Sequence, residues 1–119
     1  MLEFSSLQLA LPVLCACAVG DVPMHCAWLC LLCTSLIHHS SRRARPWLGW
    51  VDRGMCCVCA ALCAARNLPP RSWTSCSNWA LGVYIVYVYV VRRAHARSQV
   101  VHSSIHTAGA LIALNTMLA

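Results

Sequence analysis

Ten cysteines and six histidines carry most of the chemistry open to this 119-residue chain. Cys30-x-x-Cys33 and Cys56-x-x-Cys59 form two C-x-x-C pairs. Each pair can offer two thiolates to one tetrahedral zinc ion, and two such pairs in tandem are the pattern of zinc modules. The intervening residues weigh against zinc here. Leu31-Leu32 and Cys57-Val58 stand where zinc sites carry polar, turn-forming residues whose amides support the sulfurs. On a helix Cys26, Cys30 and Cys33 share a face, as do Cys56, Cys59 and Cys63. That grouping suits small apolar side chains against a core or lipid. An even cysteine count in a small secreted chain is also the pattern of a disulfide framework. A cysteine-rich secreted or zinc-binding module therefore stands as the alternative reading. Either pair lacks the βαβ surroundings of a thioredoxin-type redox site.

The histidines offer a second pattern. His95, His102 and His106 are spaced by seven and four, so a helix would align them. His102-Ser-Ser-Ile-His106 has the spacing of a two-histidine metal site. It lacks the glutamate of H-E-x-x-H, and no acid lies nearby to serve as base or supporting partner. The expectation is solvated histidines on a basic tail, and His38-His39 beside Arg42 and Arg43 reads the same way. No residue is assigned a catalytic, cofactor-binding or metal-binding role, and no cofactor is expected.

The charge pattern removes whole classes of function. All nine basic residues are Arg, and the only acids are Glu3, Asp21 and Asp52. Without lysine there is no phosphate-loop lysine and no Schiff base. Three scattered acids make a paired-carboxylate site unworkable. The chain reads as non-enzymatic, with no small-molecule substrate. "SRRAR" and "RRAHAR" are short, and only Trp47 and Trp50 add aromatics near one of them, so nucleic acid is not an expected partner. Hydrophobic residues make up 60% of the chain and charged residues 10%, against about 25% charged in ordinary globular domains. Such a chain cannot cover its own surface with charge. The expected partners are a lipid bilayer or further copies of itself, by self-association or aggregation.

These residues must be held by apolar segments. Residues 1–20 read as a signal peptide or N-terminal anchor, with an apolar run from Leu7 to Val19 and a small-residue Ala16-Cys17-Ala18 site. Glu3 and Pro12 depart from that pattern. Residues 21–119 read as one hydrophobic region with basic loops at 38–53 and 92–106. Within it, Val22–Ile37 is apolar and uncharged. Met55–Ala65 is a helical stretch too short to cross a bilayer. Pro69-Pro70 marks a firm break. Ser72–Val91 carries no charge and has the length of a span, with Arg71 before it and Arg92-Arg93 after it. Its second half, Val83–Val91, is β-branched and aromatic, which suits a strand, yet few other segments could pair with it. The C-terminal "HTAGALIALNTMLA" reads as a short helix interrupted by Gly109 and Asn115.

The expected fold is mainly α: a small hydrophobic chain of short apolar helical segments. A membrane-embedded bundle and a chain without a unique fold in large parts are both compatible with it. The leading reading of function is a small membrane-associated or secreted, non-enzymatic protein. A third reading is an unselected translation. Cys, Trp, Val and Arg have codons rich in G, T and C, and alternating Val and Tyr is what a GTAT-type repeat encodes. Local signals that conflict with one another fit that reading too.

Overall fold

The computed structural model describes residues 5–40, 45–91 and 98–118. Helix accounts for 90% of it, and no strand occurs among the described residues. A single 3-10 turn, Leu7–Leu9, leads into α1, Ala10–Val19. Four longer helices follow: α2, Val22–Ser40; α3, Pro46–Arg66; α4, Trp73–Val86; and α5, Gln99–Leu118. The last turn of α4 widens into π-type hydrogen bonding over Tyr87–Val91.

Local chemistry sets the boundaries. Gly20 ends α1 in the left-handed region at φ 73°, where a side chain would be strained. Its amide and that of Asp21 satisfy the carbonyls of Cys17 and Ala16. Asp21 then opens α2, its Oδ1 accepting from the Met24 amide at 3.3 Å. Pro46 stands in the first turn of α3, where its missing N–H costs nothing. Ser72 and Ser75 form a reciprocal capping box at the start of α4, with both bonds at 3.1 Å. Ser98 accepts from the Val101 amide and starts α5.

Cross-helix hydrogen bonds fix the topology as up-and-down. Asp21 pairs with Arg66 while Thr34 reaches Asp52, so α2 and α3 are antiparallel. Asn67 meets Asn78 while Arg53 meets Tyr89, so α3 and α4 are antiparallel. Tyr84 meets Ser104 while Asn78 meets Asn115, which does the same for α4 and α5. The tightest packing joins α2 to α3, α1 to α2 and α4 to α5, with α1 also lying against α5. Their core holds Leu9, Val13 and Ala16 of the N-terminal turns, Met24, Trp28 and Leu31 of α2, Cys59 and Cys63 of α3, and Ala113 of α5. Full burial of a side chain such as Met24 contributes about 1.5–3 kcal/mol. Buried alanines at 16, 27, 108, 110 and 113 let the backbones approach closely.

The mainly α expectation holds, with corrections inside it. The basic loops at 38–53 and 92–106 are mostly helix: α2 continues to Ser40, α3 begins at Pro46 and α5 begins at Gln99. Residues 41–44 and 92–97 lie outside the described residues, and with them His95. Met55–Ala65 is the second half of a 21-residue helix rather than a short piece, because Pro46 starts that helix well upstream. Val83–Val91 is helical despite its strand-like composition; partners on α5 replace the strands it lacks. Neither Gly109 nor Asn115 interrupts α5. Gly109 sits against Trp28, and Asn115 spends its side chain on Asn78.

Candidate functional site

Although α3 and α4 are neighbours in sequence, a cleft of about 590 Å³ lies between them. That volume falls in the range of ordinary ligand sites. One wall is Cys56, Cys59, Ala60 and Cys63 of α3; the other is Trp79, Gly82, Val83 and Val86 of α4. Trp28 and Leu31 of α2 and Gly109 and Ile112 of α5 close the back. The lining is apolar except for Ser35, Asp52, Asn67, Asn78, Tyr87 and His106. Asp52 and Cys56, one turn apart on α3, bring a carboxyl and a thiol to this otherwise largely apolar lining.

One end of the cleft is sealed by a polar network that uses every asparagine of the chain. Asn67 Nδ2 donates to the Cys63 carbonyl at 2.7 Å and to Thr116 Oγ1 at 2.9 Å. Asn78 Nδ2 donates to Asn67 Oδ1 at 2.9 Å, and Asn115 Nδ2 donates to Asn78 Oδ1 at 3.1 Å. Trp79 Nε1 donates to the Asn67 carbonyl at 3.1 Å. Asn67 and Asn78 are 8% and 3% exposed, so an unmade bond here would leave a desolvated amide. Nearby, the exposed surface carries the Asp21–Arg66 pair, in which both guanidinium nitrogens reach the carboxylate. The Arg66 guanidinium holds the Asp21 carboxyl below its ordinary value.

The other end carries histidines. His39 comes from the last turn of α2, and His102 and His106 from successive turns of α5. The ring centroids are 5.0 Å apart for His39 and His102, 4.9 Å for His102 and His106, and 5.7 Å for His39 and His106. The rings of His102 and His106 meet nearly edge-on, at 89°. Ser5 Oγ lies 3.1 Å from His106 Nδ1. His39 Nε2 is buried and has no hydrogen-bond partner. Burial, with His106 and His38 close by, pushes His39 down to about 4, so its imidazole is neutral near pH 7. Burial also lowers His106, and the bond to Ser5 acts against that shift.

The solvated-histidine expectation therefore fails for these three, which are partly buried and face one another. The i, i+4 spacing of His102 and His106 was a readable signal. That His39 closes the triangle was not, because it depends on how α2 packs near α5. The cysteines behave otherwise. All ten are free thiols. Cys26, Cys30 and Cys33 are exposed along α2, whereas Cys59 and Cys63 are buried in the core. The two C-x-x-C pairs do not come together as a metal-holding group, and among the described residues the histidine triangle is the one such group. No protein-family model, no curated protein and no solved structure matches this chain.

Proposed function

We propose that the chain is a small, non-enzymatic helical membrane protein in which the α3–α4 hairpin crosses the bilayer and the other helices pack alongside it. The observation that carries this reading is where the apolar surface lies. Helix α3, and α4 with its π-type turn, span 21 and 19 residues and are long and apolar enough to cross a membrane. The core helix of a water-soluble protein buries most of such a stretch. Here only 22% of the α3 window and 17% of the α4 window are buried. Val58 of α3 and Val90 of the π-type turn stand exposed away from the cleft, as do Leu11, Leu14, Leu29 and Ile37 on α1 and α2, while Val83, Val86 and Val91 are exposed along it. So many exposed apolar side chains are costly in water and ordinary in lipid. Trp47, Trp50 and Trp73 are exposed near the helix ends, where interfacial anchors would sit, which supports this reading.

The arginines supply an orientation. Ser40, Pro46, Val91 and Gln99 are the helix ends flanking the segments that hold Arg42, Arg43, Arg45, Arg92, Arg93 and Arg97, and the antiparallel pairing puts all four ends on one side. That side faces the cytoplasm by the positive-inside rule.

Cys57 tests it. Its side chain is exposed on α3, near the middle of that helix. In sealed vesicles a water-borne maleimide leaves Cys57 unlabelled until detergent or denaturant is added, because lipid covers it. Prompt labelling in intact vesicles would mean that water reaches the face assigned to lipid.

A further inference from the structure

We infer that His39, His102 and His106 form a binding site for one divalent transition-metal ion of the zinc class, held by three imidazoles. Nothing in the membrane reading requires this site, and it stands or falls separately.

The geometry comes first. One nitrogen from each ring can be chosen so that all three lie within 4.8 Å of one another. Three imidazole nitrogens at about 2.0 Å from a tetrahedral ion are about 3.3 Å apart. Each ring turns about its own side-chain bonds, so the remaining difference of about 1.5 Å is of the size that side-chain rotation covers. The i, i+4 pair on α5 supplies two ligands from one rigid element, and α2 brings the third across the bundle.

The chemistry fits the same ion class. Neutral imidazole is the ligating form, and imidazole donors without carboxylate select zinc, copper or nickel over magnesium and calcium. His39 Nε2 is a buried polar atom with no partner in the protein, and a metal would satisfy it. Ser5 at His106 Nδ1 is the outer partner that orients a ligating ring and leaves Nε2 for the ion. Among the described residues no acid or thiolate completes the set, which leaves a fourth position for water or an external anion. His106 also lines the cleft, which places that position at the cleft's end. The ion would tie the end of α2 to the start of α5 and, through Ser5, to the N-terminal turns.

The test uses the full chain in detergent micelles, reduced, with zinc alone and then cobalt alone. The expected result is one zinc equivalent retained by wild type and lost in the triple variant H39A/H102A/H106A. Ser5→Ala weakens binding by about tenfold, the lower end for loss of an outer partner. Cobalt separates histidines from the abundant thiols. A visible d–d band without thiolate charge transfer supports the site; a thiolate charge-transfer band as the sole signal overturns it. Should the triple variant lose its helical circular dichroism, the wild-type cobalt spectrum decides alone. Absence of zinc binding by wild type, or equal binding by a folded triple variant, overturns the proposal.

Discussion

At the residue scale, the turn between α1 and α2 shows how few charges hold this chain. Asp21 caps α2 through the Met24 amide and pairs with Arg66 at the far end of α3. The two side chains are 17% and 34% exposed, so solvent screens the pair and its worth is about 1 kcal/mol at most. Arg66 lowers the Asp21 carboxyl below its ordinary value of 3.8. A carboxylate lowered by folding contributes stability that is fully present above that ordinary value. The contribution is lost as pH falls through the lowered folded value. Denaturation in micelles at a series of acid pH values should therefore show wild type losing stability that Asp21→Asn never had, with the two curves parallel above pH 5. A constant gap at every pH would remove the ion pair from the account.

At the element scale, the asparagine network joins the end of α3 to α4 and α5. Asn78→Ala should cost about 1 kcal/mol, because Asn67 Oδ1 and Asn115 Nδ2 lose a partner in a desolvated site. Ser77→Ala, next to it but exposed and bonded only within its own helix, should stay within about 0.5 kcal/mol. Equal effects in a thermal or denaturant titration would mean that the network does not join the helices. The helices themselves were legible from the apolar runs, the Pro69-Pro70 break and the uncharged Ser72–Val91 stretch. Their lengths were not: Arg53 made 46–53 look like a loop, yet it rests on Trp50, its guanidinium 5.3 Å from the ring, and donates to Tyr89 on the helix surface. The three asparagines had no readable role, since each finds its partner only when three helices meet. The histidine triangle was half legible, as the i, i+4 pair on α5, and its third member depended on tertiary packing.

At the scale of the whole molecule, five helices alternate direction among the described residues, an apolar cleft separates the two that are long and apolar enough to cross a membrane, and the helix ends next to the arginine-rich stretches share one side. Under the proposed membrane reading, each of these features has a role in a bilayer. In water the same surface would drive self-association, and a chain without selected structure would aggregate. Flotation of alkali-treated membranes through a density gradient distinguishes these outcomes directly. Alkali strips peripheral proteins, and buoyancy separates lipid-embedded chains from pelleted aggregates. The account predicts that the full chain rises with the lipid fraction. Recovery at the bottom of the gradient, as released protein or as aggregate, would contradict it.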